Sequence, residues 1–251
     1  GVSVTGATVQ GSTGADTLTG AGGGIVTANG NAGADILAGG TNDDVLDGGA
    51  GADFIDGANG DDDITAGAGA DNLFGNSGAD TIDVGSGDNF IQINNATEGS
   101  ALGTASGTFT GFDQYNNFDA DGGDQLVFDS ATPNQTNLGN GATVDMPLVD
   151  GQKAVIASDD ATTASNNLAA DGSDRDDVDS VVSFLDDSST YTPATGDVTD
   201  VVAVTFSGSS DTAVYMVQSG AADQTVAAGE VSLLGVIDTT QNVDTADFTI
   251  A

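Results

Sequence analysis

The sequence predicts a mainly β protein, in which a solenoid of short strands is followed by a β-rich region with one short helix. Three observations support this prediction. A nine-residue pattern repeats without a break from Gly30 to Gln92, several later segments alternate apolar and polar residues, and one later segment has apolar residues at helical spacing. The repeat predicts the first part of the fold, and the other two patterns predict the second.

The repeat consists of seven consecutive units. They read GNAGADILA, GGTNDDVLD, GGAGADFID, GANGDDDIT, AGAGADNLF, GNSGADTID and VGSGDNFIQ. An earlier unit, GSTGADTLT at Gly11–Thr19, has the same form. Across these eight units, the sixth position is always acidic or an amide: Asp16, Asp35, Asp44, Asp53, Asp62, Asp71, Asp80 and Asn89. The eighth position is always a large aliphatic residue: Leu18, Leu37, Leu46, Ile55, Ile64, Leu73, Ile82 and Ile91.

Each unit has the composition of a tight turn followed by a very short strand. Glycine adopts positive φ without steric cost and leaves backbone carbonyls open to a cation. The aspartate adds a charged oxygen at the end of the turn. Because alternate side chains of a strand face opposite ways, one aliphatic residue per unit can point inward. One unit cannot bury that residue alone, so neighbouring units must stack into a solenoid with a thin continuous core.

These units resemble the RTX family, whose consensus is G-G-x-G-x-D-x-U-x with U a large aliphatic residue. The resemblance implies a parallel β-roll, a form of β-helix, in which two nonapeptides make one coil and calcium ions lie between stacked turns. It implies that residues two units apart share an edge. One edge would hold Asp35, Asp53, Asp71 and Asn89, and the other Asp44, Asp62 and Asp80. The predicted cofactor is therefore several Ca²⁺ ions, held by aspartate and carbonyl oxygens.

Two units depart from the pattern. The stretch Gly20–Asn29 has ten residues and no acid, so we expect a coil without an ordinary ion there. Asn89 offers an oxygen without charge, so the last site is expected to be weak or empty. The competing interpretation of the whole region is an acidic, glycine-rich disordered linker. A linker has no reason to place an aliphatic residue at every ninth position, so we expect an ordered solenoid when calcium is present. Without calcium we expect the disordered state.

The charge balance restricts the possible partners. The chain has 39 acidic and 2 basic residues, for a formal net charge of −37, and Lys153 and Arg175 are the only cationic side chains. Nucleic acid is excluded as a partner because its binding needs clustered Lys and Arg. Self-repulsion at this charge opposes a compact state, so metal binding and folding should be coupled.

The residue inventory argues against an enzyme and against a membrane span. The chain has no His and no Cys, so it lacks the usual general base, a thiol nucleophile and the usual zinc ligands. Spacing selects no catalytic pair among its many aspartates, and we expect no catalytic site. No apolar run approaches the roughly 20 residues that a spanning helix needs.

The C-terminal region, residues 94–251, is predicted to be β-rich and distinct from the β-roll at residues 1–93. Alternation predicts strands within Thr108–Asp113 and Gln125–Asp129 with an acidic loop between them, and the pair resembles the cap that follows RTX repeats. Further strands are predicted at Ala154–Ala157, Val198–Phe206, Ala213–Gln218 and Val231–Ile237, with a hairpin turn at Gly208–Asp211. Val178, Val181, Val182 and Leu185 predict the short helix.

Two acidic segments of this region are also informative. The acidic run Asp171–Asp177 precedes the predicted helix, and we interpret it as a solvated loop with an Asp N-cap in preference to an additional calcium loop. The chain ends in Asp-Phe-Thr-Ile-Ala, which resembles the end of RTX proteins exported by type I secretion.

Two functions remain open. The first is a secreted, calcium-binding structural protein that self-assembles into an extracellular layer, sheath or filament, with copies of itself as partners. Small residues, the expected lack of catalysis and a resemblance to calcium-dependent surface-layer or matrix proteins favour it. The alternative is the C-terminal calcium-folding and secretion module of a larger RTX enzyme, toxin or adhesin. It is favoured by a chain that begins with Gly and shows no signal peptide, as a processed form or fragment would. Cell-surface polysaccharide is a further possible partner, without a dedicated motif.

Overall fold

The computed structural model describes residues 1–4, 6–20, 23–93, 110–119, 123–128, 143–144, 157–158, 177, 180–182, 198–205, 211–219, 231–238, 243 and 247–250. The strands of the repeat region are β1 (Val2–Val4), β2 (Thr8–Gln10), β3 (Thr17–Gly20), β4 (Thr27–Asn29), β5 (Ile36–Gly40), β6 (Val45–Ala50), β7 (Phe54–Asn59), β8 (Asp63–Ala68), β9 (Asn72–Ser77), β10 (Thr81–Asp83) and β11 (Phe90–Ile93). The later strands are β12 (Asp113–Asn116), β13 (Gln125–Phe128), β14 (Thr143–Val144), β15 (Ala157–Ser158), β16 (Val198–Thr205), β17 (Asp211–Ser219), β18 (Val231–Asp238) and β19 (Phe248–Ile250).

The repeat region is a parallel solenoid in which successive strands alternate between two sheets. One sheet has eight strands in the order β1-β3-β5-β7-β9-β11-β13-β19. The other has eleven strands and contains the run β12-β10-β8-β6-β4-β2. Strands two apart in sequence pair in parallel, so two nonapeptides form one coil, as predicted. The predicted mainly β fold with an N-terminal RTX β-roll is confirmed.

The core is two stacked rows of inward-facing side chains, one row on each sheet. The row of the eight-stranded sheet contains Leu18, Leu37, Ile55, Leu73, Ile91, Leu126 and Phe248. The row of the other sheet contains Val9, Ala28, Leu46, Ile64, Ile82, Tyr115 and Ile237. All but Val9 are buried. Each nine-residue unit therefore contributes its eighth-position aliphatic residue to the core, and each coil contributes two.

Two glycines of the turn that begins at Gly48 are required by geometry. In the unit that begins at Gly48, the second and fourth residues, Gly49 and Gly51, have φ of 95° and 146°. A Cβ on Gly51 would also lie 1.4 Å from the carbonyl oxygen of Gly33 in the preceding coil. The turn is thus both left-handed and in direct backbone contact with its neighbour, and glycine meets both demands.

The later strands extend the roll without a change of sheet. Strand β12 pairs in parallel with β10, and β13 pairs in parallel with β11, so each sheet gains a strand beyond the last repeat. Strand β18 then pairs with β12 and begins an antiparallel extension through β17 to β16. Strand β19 pairs with β13, where the Phe248 and Phe128 rings stack with centroids 6.5 Å apart. Both strand ladders therefore cross the predicted boundary at residue 93.

Most strands predicted in the C-terminal region are confirmed, and one is displaced. Strands β16, β17 and β18 lie where the alternation predicts them. The strand predicted within residues 108–113 is wrong in position, because β12 begins at Asp113 and residues 110–112 form no strand. Asp113 takes the aspartate position of a turn and Tyr115 the core position, so strand formation follows the Asp-x-apolar pattern of the repeats.

The predicted short helix is confirmed at residues 180–182. Residues 180–182 are helical, and the amide N–H of Val181 donates to the carbonyl oxygen of Asp177 at 3.0 Å. The N–H of Ser180 donates to Oδ1 of Asp177 at 2.8 Å, so Asp177 is the predicted N-cap. The rest of the acidic run 171–176, the hairpin turn at 208–210, and residues 154–156 and 178 lie outside the described residues.

Candidate metal centre

The sixth-position side chains form two hydrogen-bonded ladders along the edges of the roll. In each ladder a side-chain Oδ1 accepts a hydrogen bond from the backbone N–H of the equivalent residue one coil earlier. The Oδ1 atom of Asp53 accepts from Asp35 at 2.8 Å, and that of Asp62 accepts from Asp44 at 2.6 Å. The same bond recurs along both edges, with partners 18 residues apart in most cases. The two predicted edges are thus present, with Asp35, Asp53, Asp71 and Asn89 on one and Asp44, Asp62 and Asp80 on the other.

The second carboxylate oxygen is what makes these ladders a candidate metal centre. In six aspartates Oδ2 is buried and has no hydrogen-bond partner: Asp35, Asp44, Asp53, Asp62, Asp71 and Asp80. These side chains are between 0 and 3 % exposed. A buried ionised carboxylate is costly unless a donor or a cation offsets it. Six such oxygens in two regular rows are therefore candidate cation ligands, since no described protein atom donates a hydrogen bond to them.

Backbone carbonyls converge on the same unpaired oxygens. A Cβ built on Gly48 would lie 2.7 Å from Oδ2 of Asp53 and 2.6 Å from the carbonyl oxygen of Ala66 in the next coil. A Cβ on Gly30 would lie 2.5 Å from Oδ2 of Asp35 and 2.5 Å from the carbonyl oxygen of Gly48. The first glycine of the unit therefore leaves open a pocket lined by one carboxylate oxygen and one carbonyl oxygen. Oxygen donors of these two kinds suit Ca²⁺, so the residues fit the ion that the repeat implies.

The burial also affects proton binding. It raises the pKa of Asp62 to about 7 and the pKa values of Asp71 and Asp80 to about 6. Burial raises the pKa of Asp44 and Asp53 as well. Hydrogen bonds from the preceding coil oppose the rise in pKa in each case but are outweighed. A divalent cation would favour the ionised form of these carboxylates and thus act against burial.

The predicted ligand Asp16 has a different environment. Its N–H joins the ladder by donating to Oδ1 of Asp35 at 2.6 Å. Its own Oδ2, however, accepts from both the N–H and the Oγ of Ser12, at 2.6 and 2.8 Å. These hydrogen bonds lower the pKa of Asp16. The carboxylate at this end of the array therefore already has protein donors, unlike the six interior aspartates.

The irregular unit Gly20–Asn29 places an apolar residue in the ladder. Val26 is buried, and its N–H donates to Oδ1 of Asp44 at 2.6 Å, as an aspartate would do at this position. The turn thus contributes no carboxylate, in agreement with the absence of an acid from its sequence. Residues 21–22 of this unit lie outside the described residues.

Two ladder residues beyond the array were not predicted as part of the site. Oδ1 of Asp113 accepts from the N–H of Asp80 at 2.9 Å, and Oδ1 of Asp124 accepts from the N–H of Asn89 at 2.8 Å. Both aspartates are buried and continue the two edges into the cap. The available signal was the Asp-x-apolar spacing of Asp113-Gln114-Tyr115 and of Asp124-Gln125-Leu126, which matches the sixth and eighth positions of the repeat.

The described residues hold no group of three or more acidic side chains close enough to share a metal ion. Each turn instead supplies one carboxylate, and backbone carbonyls would complete the coordination. Among the same residues, no helix has the length and apolar character needed to cross a membrane.

Comparison with known protein families agrees with this geometry. The model for the RTX calcium-binding nonapeptide repeat (4 copies) matches residues 6–24, 29–64 and 56–91. Comparison with curated proteins and with solved structures gave no match. The matched segments contain both ladders of unpaired carboxylate oxygens, and calcium is the ion that this repeat binds. Residues 6–24 and 29–91 of this chain are therefore RTX calcium-binding nonapeptide repeats.

Proposed function

We propose that this chain is a secreted structural protein that folds on binding calcium and self-assembles into an extracellular layer, sheath or filament. The observation that carries the proposal is the double row of buried, unpaired Oδ2 atoms in the roll. Such an arrangement makes the fold depend on a cation. Proteins with RTX repeats are typically secreted, and calcium outside cells is abundant enough to fill weak sites, with dissociation constants on the order of 10⁻⁴–10⁻³ M.

Calcium would act on this chain chiefly as a source of charge. When bound, it supplies positive charge to the carboxylate oxygens that receive no hydrogen bond. The chain brings 39 acids against 2 bases, so its own cationic side chains cannot do so. Six ions, one for each unpaired oxygen, would add six times +2, or +12, where the acids are most deeply buried. The proposed role requires no catalytic step.

Self-assembly is supported by the end of the roll that carries β1 and β2. These strands lie at the ends of their sheets, and no strand among the described residues pairs with their outer edges. Unpaired strand edges are templates for pairing with another chain. The eight-stranded sheet also exposes apolar side chains on its outer face, including Ile36, Phe54 and Phe90. Both features suit contact between copies of the chain.

Electron microscopy of the purified chain tests this proposal directly. In a few millimolar calcium we expect ordered sheets or filaments that disperse when EGTA is added, and magnesium at the same concentration should not replace calcium. A small globular domain fused to Gly1 without a linker should block assembly by covering the open edge. The same domain on a long flexible linker is the matched control and should leave assembly intact.

The open edge also favours the alternative, in which the chain is the C-terminal folding and secretion module of a larger RTX protein. Preceding coils of a longer chain would pair with β1 and β2 in the way that a second copy would. Under this alternative the chain binds calcium and folds but stays monomeric. Dispersed particles with and without calcium, together with calcium-dependent folding, would therefore reject self-assembly and support the module.

A further inference from the structure

Asn89 occupies the sixth position of the last repeat and makes the ladder bond of that position. The residue is fully buried. Its Oδ1 accepts from the N–H of Asp71 at 2.9 Å, as Oδ1 of Asp71 accepts from the N–H of Asp53. Asn89 is thus placed like the aspartates of the array, and its Nδ2 stands where they carry the unpaired Oδ2.

The Nδ2 of Asn89 has protein partners, in contrast to those unpaired oxygens. It donates to the carbonyl oxygen of Val84 at 3.1 Å and to the carbonyl oxygen of Gly87 at 3.2 Å. Both carbonyls belong to the turn that Asn89 ends. This orientation of the amide matches its oxygen with an N–H and its nitrogen with two carbonyls. The amide therefore fixes the turn through two hydrogen bonds, with no charge left to offset.

A second departure from the repeat consensus in the same turn also disfavours a bound ion. The first position of the unit is glycine in most repeats, where a side chain would meet the unpaired carboxylate oxygen. A Cβ on Gly75, for example, would lie 2.4 Å from Oδ2 of Asp80. The last unit has Val84 at this position, and its side chain is fully buried. The space that glycine leaves open in most other turns, and that only a methyl group enters at Ala66, is therefore filled by a larger side chain in this one.

The ladder aspartates of the cap also have protein donors on both edges. The N–H of Asn89 donates to Oδ1 of Asp124, whose Oδ2 accepts from the N–H of Asp119 at 2.8 Å. On the other edge, Oδ2 of Asp113 accepts from the hydroxyl of Tyr115 at 3.1 Å. The ladder carboxylates next to the last repeat are thus hydrogen-bonded at both oxygens. The unpaired oxygens of the two ladders end at Asp71 and Asp80. Beyond the ladders, Oδ1 of Asp119 in the cap loop is buried without a hydrogen-bond partner.

We propose that the turn at residues 84–89 is a metal-free turn, in which the Asn89 amide takes the place of a calcium ion. The inference rests on calcium binding by the repeats that precede it. It gives the roll one end whose last turn and ladder aspartates stay hydrogen-bonded at calcium concentrations that empty the array. Asn89 is therefore not a ligand of the array, and the Asp71 turn is the last to depend on an ion along its edge.

Restoring the repeat consensus in this turn tests the inference. The double variant V84G/N89D reopens the space at the first position and replaces the amide by a carboxylate. We expect it to bind one calcium ion more per chain than the wild type in equilibrium dialysis. The matched control Asp71→Asn should bind one ion fewer. An unchanged ion count in a V84G/N89D protein that is folded in calcium overturns the inference.

Hydrogen exchange of the full chain in EGTA gives a second readout that does not depend on counting ions. In the wild type, amides of residues 85–93 should exchange at least 10-fold more slowly than those of residues 49–56, and V84G/N89D should lose this difference. Equal exchange of the two segments in wild-type protein, with both protected by calcium, overturns the metal-free turn alone. If neither segment responds to calcium and no calcium binds, both the inference and the proposed calcium-dependent folding fail.

Discussion

Replacing Asp62 by asparagine should change the stability of the roll in opposite directions with and without calcium. Asp62 is buried, its Oδ1 accepts from the N–H of Asp44 at 2.6 Å, and its Oδ2 has no partner. An asparagine can keep the Oδ1 bond, as Asn89 does in its own turn. The substitution thus removes one charge and one ion while leaving the ladder intact.

The size of the effect in calcium follows from the lost ion. An ion at 100 times its dissociation constant stabilises the folded state by about 2.7 kcal/mol. For a chain of this length, about 1 kcal/mol corresponds to 2–4 °C in the midpoint of thermal unfolding, so we expect a decrease of roughly 5–10 °C. In EGTA the sign should reverse, because Asp62→Asn removes a buried charge that nothing offsets. The folded fraction of the variant in EGTA should then equal or exceed that of the wild type.

Thermal unfolding followed by circular dichroism in 10 mM calcium measures the first effect, and the circular dichroism signal in EGTA, from which the folded fraction is read, measures the second. The matched control is Asp63→Asn, which makes the same change of charge one residue away on an exposed side chain. It should shift the free energy of unfolding by less than about 0.5 kcal/mol in either condition. The reasoning is refuted if Asp62→Asn behaves like Asp63→Asn in calcium, or if it destabilises the protein equally in both conditions.

Three further predictions concern protons, the turn and the core. In EGTA, lowering the pH from 8 to 5.5 should stabilise the fold. In the folded state the pKa values of Asp62 and Asp71 are about 7 and 6, above the usual 3.8, so the folded state binds more protons than the unfolded state over this range. Calcium affinity should fall over the same range, and a constant affinity in a calcium titration would contradict this. Gly48→Ala should lower the free energy of unfolding in urea by about 1–3 kcal/mol, because its Cβ would meet two oxygens. The control Gly14→Ala, with no atom within 4 Å of its Cβ, should lower it by less than about 0.5 kcal/mol. Ile55→Ala should lower the free energy of unfolding in calcium by about 2–5 kcal/mol, since it opens a cavity in a fully buried row. A decrease below about 1 kcal/mol would show that the row is not the core.

The repeat region could be predicted closely because its period determines its register. Once two nine-residue units are taken as one coil, as the RTX resemblance implies, an interval of 18 residues brings Asp53 over Asp35 and Ile55 over Leu37. The same interval places the glycines of successive turns in contact. Spacing thus predicted the units and their inward aliphatic residues, and the resemblance to RTX repeats added the two-unit coil and the two edges of the candidate site.

The cap was harder to predict because the interval changes there. Asp80 and Asp113 are 33 residues apart, and Asn89 and Asp124 are 35 apart, although each pair makes the standard ladder bond. Without a constant period, the alternation around Phe112 suggested a strand that in fact begins one residue later, at Asp113.

The chemistry of individual ladder positions depends on partners that the repeat pattern does not specify. Asp16 matches the pattern as well as Asp35 does, yet Ser12 donates two hydrogen bonds to its second oxygen. The amide of Asn89 could either accept from or donate to its surroundings, and the positions of the Val84 and Gly87 carbonyls decide this. Sequence can therefore identify ladder positions, while the hydrogen bonds distinguish carboxylates with protein donors from those that need a cation.

Hydrogen exchange across residues 30–83, compared in millimolar calcium and in EGTA, tests most directly whether the unpaired carboxylate oxygens make the fold depend on calcium. The account predicts strong protection of strands β5 to β10 in calcium, loss of that protection in EGTA, and no rescue by the same concentration of magnesium. Equal protection of these strands in calcium and in EGTA at neutral pH would contradict it, because the buried aspartates would then be stable without the ion.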